Sequence, residues 1–123
     1  MKKNFSFSKE ARIRKSKEFK LCYEQGKRIF SKRFILFVRE RGGDNIGVRT
    51  GITVSKKIGK AVERNRLKRL IREFMRLNRY VVNRDLDIVI VPKRGIDVKT
   101  LQYRDVEAEL YPILIRLAEK EKN

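Results

Sequence analysis

Positively charged side chains dominate residues 56–79. Ten basic residues lie there, interrupted only by Glu63 and Glu73. Like charges crowded on one helix face are destabilising until phosphates neutralise them. A solvated charged face is the alternative, but such faces usually mix signs. The pattern therefore favours phosphate binding. At 3.6 residues per turn, an arc of roughly 100° holds these polar side chains: Asn65, Lys68, Arg69, Arg72, Arg76 and Arg79.

A second group of residues combines aromatic rings with positive charge. Phe19 and Tyr23 lie four residues apart, on one side of a predicted helix that begins at Lys15. Rings that stack on bases, beside cations that hold the backbone, are usual in proteins that bind single-stranded nucleic acid. On spacing alone, however, an aromatic pair is more often part of the core. Strand alternation adds one face of segment 33–39: Arg33, Ile35, Phe37 and Arg39.

Other protein chemistry has little support in this sequence. There is no histidine, and the single cysteine, Cys22, cannot form an internal disulfide. We expect Cys22 to be a small buried residue. Asp85 and Asp87 could hold a metal ion, but two carboxylates at the start of a strand are more often solvated or paired with arginine. No catalytic residue and no metal ligand is assigned.

Length and charge indicate one domain with a polyanionic partner. The chain has 123 residues, which is typical of a single domain, and a formal net charge of +18. Residues 1–84 carry a net charge of +19, whereas residues 85–123 carry −1. A nucleic acid is the preferred partner, and an anionic membrane surface is a weaker alternative. The N-terminus lacks the apolar run of a secretory signal, so we expect a cytoplasmic protein with no membrane partner.

The predicted elements give an α+β fold in the order α-β-β-(β)-α-β-α, where the bracketed strand is optional. We expect a two-layer sandwich, with a mixed sheet of about four strands covered by helices on one side. Turn residues at 41–45 predict a hairpin between the strands at 33–39 and 49–55. The long helix should bury Leu67, Leu70, Ile71, Phe74 and Leu77. After a basic, flexible arm at 1–14, the segments are a helix at 15–25 ended by Gly26, strands at 33–39 and 49–55, a helix at 58–79, a central strand at 86–91 and a helix at 101–119, with the optional strand at 27–31.

Residues 51–73 closely resemble the signature of the bacterial ribonuclease P protein family. That signature centres on an Arg-Asn-Arg motif, present here as Arg64-Asn65-Arg66. The resemblance extends to residues 17–26, to the strand that begins at Arg33, and to residues 87–91. The match is dense and ordered over 23 residues, so it is far more specific than a generic basic helix.

The resemblance implies a subunit that binds a catalytic RNA and the 5′ leader of precursor tRNA. The RNA would remove the leader in a magnesium-dependent reaction, with the magnesium ions held mainly by the RNA and no other protein required. The resemblance also implies a fold similar to the second domain of a small-subunit ribosomal protein. In that fold the strand-helix-strand crossover is left-handed, whereas general chirality rules predict a right-handed one.

The resemblance also implies a role for each group of site residues. Two alternatives stay open: an RNA-binding protein that never stimulates cleavage, and a self-sufficient nuclease built on Asp85 and Asp87. Relatives often carry tyrosine where this chain has Phe37, which keeps a ring but removes a hydroxyl. The residues expected to dock the catalytic RNA are Lys56, Lys57, Lys60, Arg64, Asn65, Arg66, Lys68, Arg69 and Arg72. Those expected to hold the leader are Lys15, Phe19, Tyr23, Arg33, Phe37 and Arg39.

Overall fold

The helices and strands follow the predicted order, and the optional strand is present. The computed structural model describes residues 11–119. Single-turn 3₁₀ helices at Lys56–Ile58 and Arg79–Val81 flank the long helix. The elements are α1 (Ser16–Gln25), β1 (Lys27–Phe30), β2 (Phe34–Glu40), β3 (Arg49–Ile52), α2 (Ala61–Asn78), β4 (Leu86–Pro92) and α3 (Tyr103–Glu119).

The four strands form one mixed sheet in the order β1-β2-β4-β3. β2 is antiparallel to both β1 and β4, whereas β3 is parallel to β4. The predicted hairpin between β2 and β3 is therefore wrong, although the turn is present and Asn45 has φ 64°. β4 lies between the two strands because it is apolar on both faces, and only a central position buries both. α2 joins β3 to its parallel neighbour β4, and the hand of this crossover stays a prediction.

The core is divided between the two faces of the sheet. α2 and α3 cover one face and pack on Phe34, Leu36 and Ile90. α1 covers part of the other face, where Cys22 packs against Val89. Placing all helices on one side was therefore right for α2 and α3 and wrong for α1. The second face needs this cover because β4 also presents apolar side chains there.

The buried stripe of α2 agrees with the predicted stripe except at its margins. Leu67, Ile71 and Phe74 are buried. Leu77 is 40% exposed, whereas Met75 is 1% exposed. These two residues lie at opposite edges of the stripe, and periodicity alone does not choose between them.

Arg79 was predicted on the exposed basic arc, but it is buried. Its guanidinium donates to the Val48 carbonyl at 2.8 Å and stacks 4.4 Å from the centre of the Tyr80 ring. α2 ends at Asn78, and Arg79 begins a 3₁₀ turn. The projection at 3.6 residues per turn therefore does not apply to Arg79.

Residues 11–14 pack on the sheet, although the predicted arm included them. Ala11 and Ile13 are buried, and the Ile13 amide donates to the Thr50 carbonyl at 2.9 Å. This short segment lies along the edge of β3, so Arg12 and Arg14 are held beside the sheet. The rest of the predicted arm, residues 1–10, lies outside the described residues.

Gly26 ends α1, as predicted, for a reason other than left-handed backbone geometry. Its φ is −75°, which any residue adopts. A Cβ atom at this position would lie 2.4 Å from the Cys22 carbonyl oxygen. Glycine is needed here because the chain passes close to the end of the helix as it enters β1.

Candidate nucleic-acid interface

The exposed face of α2 forms a shallow basic groove of about 400 Å³. Glu73 is the acidic residue in its lining, and Arg76 donates to that carboxylate at 2.6 Å. This hydrogen bond lowers the pKa of Glu73 and neutralises its charge within the groove. The other cations give the groove a strong positive field. The lining residues are Arg12, Asn65, Lys68, Arg69, Arg72, Glu73 and Arg76.

The segment before α2 carries three exposed lysines, Lys56, Lys57 and Lys60. The Ser55 hydroxyl accepts from the Lys57 amide at 3.1 Å, and the Glu63 carboxylate accepts from the Lys60 amide at 3.1 Å. Glu63 therefore serves the main chain at the start of α2, which leaves the lysine side chains available to an anion. The positive end of the helix dipole adds to their field.

The two arginines of the Arg-Asn-Arg motif have different surroundings. The Arg64 guanidinium donates to the Gly59 carbonyl at 3.0 Å and so stays at the start of α2. Arg66 lies about 100° further round the helix than Asn65. Its guanidinium donates to the carbonyls of Val98 (2.6 Å) and Leu101 (2.7 Å). Arg66 therefore does not join the groove; it ties α2 to the loop before α3.

Three aromatic residues between α1 and the sheet form what we call the ring cluster: Phe19, Tyr23 and Phe37. Tyr23 and Phe37 meet edge to face, with ring centres 5.0 Å apart. The Tyr23 hydroxyl lies 2.6 Å from the Thr53 hydroxyl, within hydrogen-bonding distance. Phe19 lies over Gly51, where a Cβ atom would be 2.7 Å from the ring. The cluster packs against the smaller part of the core, formed by Ile13, Cys22 and Val89 under α1. It is also open to solvent, with Tyr23 36% exposed.

The cations predicted beside these rings are dispersed. Lys15 is exposed immediately before α1. Arg33 pairs with Glu109 of α3 at 2.6 Å, because it precedes the first residue of β2 and escapes the alternation of the strand. Arg39 donates to the Gln25 side chain at 3.4 Å and to the Asp87 carboxylate at 3.3 Å. Arg28 was not predicted, and its guanidinium lies 5.8 Å from the centre of the Phe37 ring.

The two candidate metal ligands are committed to other partners. Asp87 is fully buried and paired with three arginines, as the sequence favoured. Its hydrogen bonds raise the pKa of Arg49 above the ordinary value. Asp85 accepts from the main-chain amides of Asn45 (3.1 Å) and Gly47 (2.9 Å). Within residues 11–119, no group of three or more histidine, cysteine or acidic residues could hold a metal ion.

Cys22 is a free, fully buried thiol, as predicted. Its side chain lies on the buried face of α1 and packs against Val89 of β4. Burial raises the pKa of Cys22 to about 11, and the nearby negative charge of Asp87 adds to this. The residue therefore stays protonated at neutral pH and serves the core.

A basic helix groove and an open ring cluster on a small α+β domain are features typical of nucleic-acid-binding proteins. In the part of the chain that the structure describes, no helix is long and apolar enough to cross a membrane. The family model described as Ribonuclease P matches residues 7–118. The chain therefore belongs to the ribonuclease P protein family, as its resemblance implied.

Individual relatives agree with this assignment. The ribonuclease P protein component of Maridesulfovibrio salexigens is 50% identical over 109 residues, which cover 89% of this chain and 88% of the relative. The solved RNase P protein from Thermotoga maritima superposes with a TM-score of 0.77 at 34% identity, covering 85% and 96% of the two chains. The RNase P protein of Staphylococcus aureus gives 0.73 at 28% identity, covering 85% and 92%. Both the fold and the sequence thus match those of these proteins.

Proposed function

We propose that this chain docks on the catalytic RNA of ribonuclease P through α2 and holds the 5′ leader of precursor tRNA against the ring cluster. A ribonuclease P protein component is a subunit of a ribonuclease holoenzyme and partners the RNase P RNA. The observation that supports RNA docking is the basic groove of α2, in which Arg76 already neutralises Glu73.

The docking surface combines the groove with the segment before it. An RNA strand that neutralises these cations releases counterions, which makes binding strong and dependent on salt. Asn65 adds a side chain that both donates and accepts hydrogen bonds, suited to a sugar or base edge. Arg66 supports this surface indirectly, because it ties α2 to the loop before α3. The proposed contacts are Lys56, Lys57, Lys60, Arg64, Asn65, Lys68, Arg69 and Arg72.

The ring cluster suits a single strand because its rings are partly open while their positions are fixed. Phe19 rests on Gly51, and Tyr23 is held by Phe37 and Thr53. A base that stacks on such a ring gains about 1–3 kcal/mol with little dependence on sequence. Lys15 lies near the start of α1 to hold the backbone. Arg33 is not a proposed leader contact, because its ion pair with Glu109 holds it at α3.

In this proposal the chain binds and orients RNA, and it supplies none of the reacting groups. Magnesium ions would be held mainly by the catalytic RNA. The arginine pairing of Asp87 and the main-chain contacts of Asp85 support this division of roles. No further protein would be needed. Removal of the leader would take place in the cytoplasm, where a bacterium makes its precursor tRNA.

The deciding experiment measures precursor tRNA cleavage at low magnesium with the protein alone, the catalytic RNA alone, and both together. We expect efficient cleavage only with the mixture, at the mature 5′ end. Cleavage by pure protein, lost in Asp85→Asn or Asp87→Asn, would instead support a self-sufficient nuclease. Tight RNA binding without stimulation would indicate a plain RNA-binding protein.

The leader site has a test of its own. Phe19→Ala should weaken binding of precursor tRNA to the holoenzyme by about 1–3 kcal/mol, or roughly 5- to 150-fold, while mature tRNA binds as before. Tyr111→Ala is the matched control, because this ring is 40% exposed on α3, which packs on the opposite face of the sheet from the ring cluster. Equal losses for precursor and mature tRNA would contradict leader recognition at Phe19.

A further inference from the structure

A buried carboxylate lies at the centre of a row of arginines beneath α1. β4 runs between β2 and β3, and in both pairings Asp87 faces an arginine: Arg39 on one side and Arg49 on the other. Asp87 lies two residues before Val89, which packs under α1, so both side chains point to that face of the sheet. We call Arg39, Asp87 and Arg49 the charged row.

The carboxylate of Asp87 is fully engaged by this arrangement. One oxygen accepts from Arg49 at 2.7 Å and from Arg41 at 2.9 Å. The other accepts from Arg49 at 2.9 Å and from Arg39 at 3.3 Å. One buried carboxylate therefore joins three guanidinium groups, of which Arg41 also pairs with Asp44 and Arg49 also pairs with Glu18. Neutralising a buried carboxylate of this kind leaves like charges confined together.

The charged row also holds α1. Arg49 pairs with Glu18 at 3.0 Å, and Arg39 donates to the Gln25 side chain at 3.4 Å. These two residues of α1 are seven positions apart, almost two full turns, and so they lie on one flank of the helix. Phe19 and Tyr23 lie on the other flank, where they join the ring cluster.

We propose that Asp87 is a positioning residue of the leader site. It fixes Arg39 and Arg49, these arginines hold one flank of α1, and α1 thereby sets the distance of Phe19 and Tyr23 from the sheet. Asp87 touches no substrate in this scheme. The proposal rests on the proposed leader site, and it adds the residue that determines the width of that site.

The experiment measures the selectivity of the holoenzyme, defined as the dissociation constant for mature tRNA divided by that for precursor tRNA. Asp87→Asn should lower this ratio about fivefold or more, the loss expected when a stacked base is misplaced. Affinity for the catalytic RNA should stay within about twofold, because α2 packs on the opposite face of the sheet from the charged row. Glu109→Gln is the matched control, since it removes a different ion-paired carboxylate, one that joins Arg33 to α3.

Coupling separates positioning from a general loss of stability. If Asp87 acts through the rings, adding Asp87→Asn to Phe19→Ala should cause little further loss of selectivity. An NMR contact between the Tyr23 and Phe37 rings should weaken in Asp87→Asn and persist in Glu109→Gln. Independent, additive losses in the double variant would overturn the proposal, as would unchanged selectivity in Asp87→Asn.

A second variant keeps the test decisive if Asp87→Asn does not fold. Glu18→Gln leaves Asp87 in place and removes the charge that pairs α1 with Arg49, while the glutamine oxygen still accepts from the Lys15 amide at the start of α1. It should lower selectivity in the same direction by a smaller factor, and full selectivity would overturn the proposal. The two proposals fail separately: no effect of Phe19→Ala rejects the leader site, whereas an effect of Phe19→Ala alone rejects only the role of Asp87.

Discussion

Gly51→Ala tests whether the position of the Phe19 ring matters for leader binding. Gly51 is a buried residue of β3, and an added Cβ would lie 2.7 Å from Cε1 and 2.9 Å from Cζ of Phe19. Carbon atoms in favourable contact are about 3.5–4.0 Å apart, so one side must move by roughly 1 Å. β3 is fixed by its pairing with β4, and α1 is held by the charged row. The ring must therefore move, and Ile13, whose Cβ would lie 3.2 Å from the added atom, must shift by a few tenths of an ångström.

We expect two separable effects of this single methyl group. Overpacking should lower the free energy of unfolding by about 1–3 kcal/mol, measured by urea denaturation. Displacement of the ring should weaken precursor tRNA binding by about 1 kcal/mol, or roughly fivefold, and leave mature tRNA binding unchanged. The loss should not exceed that of Phe19→Ala, because the ring is displaced and not removed. Equilibrium titration of the holoenzyme with both RNAs measures it.

Gly42→Ala is the matched control for this substitution. A Cβ at Gly42 would meet no atom within 4 Å, and the residue is exposed in the loop after β2. Both its stability and its selectivity should equal those of the unaltered protein. Loss of stability in Gly51→Ala with full selectivity for precursor tRNA would refute the link between ring position and leader binding.

Three further substitutions test other contacts. Arg69→Ala should weaken binding of the catalytic RNA and flatten the slope of log affinity against log salt concentration by up to about one unit. Titrations at several salt concentrations measure this slope, and an unchanged slope would reject a phosphate contact at Arg69. Arg66→Ala should lower the free energy of unfolding in urea by about 1.5–3 kcal/mol, because two main-chain carbonyls lose a charged donor, whereas Arg69→Ala should change it little. The pKa of Cys22 is raised from 9.0 to about 11, so the unfolded chain loses this proton first, and stability should fall by about 2 kcal/mol between those pH values. The fall should be smaller by that amount in Cys22→Ala, and equal falls would contradict a buried, protonated thiol.

The strongest local patterns predicted the elements well and their spatial order less well. The periodicity of α2 and the apolar run of β4 placed both elements to within a few residues. The turn at 41–45 indicated that the chain reverses, but a turn carries no information about which strand later inserts beside β2. The pairing of β4 with both β2 and β3 is a long-range contact, made only after α2 returns the chain to the sheet.

The candidate site was predictable where it depended on charge and spacing within one element. The groove of α2 follows from a helix projection, and so does the pairing of Phe19 with Tyr23 on one flank of α1. Arg33 and Arg66 could not be assigned in this way. The partner of Arg33 is a carboxylate 76 residues away, and the partners of Arg66 are main-chain carbonyls, which every residue possesses.

Four acidic residues of the basic region show which of its cations are used within the fold. Glu18, Glu40 and Glu73 pair with Arg49, Arg84 and Arg76 respectively. Glu63 instead caps the start of α2 through the main chain. Glu18 thus joins α1 to β3, Glu40 joins β2 to the segment before β4, Glu63 serves the start of α2, and Glu73 neutralises Arg76 within α2. Among the described residues, Lys68, Arg69 and Arg72 of α2 form no such ion pair, so this face keeps a positive field that an RNA would neutralise.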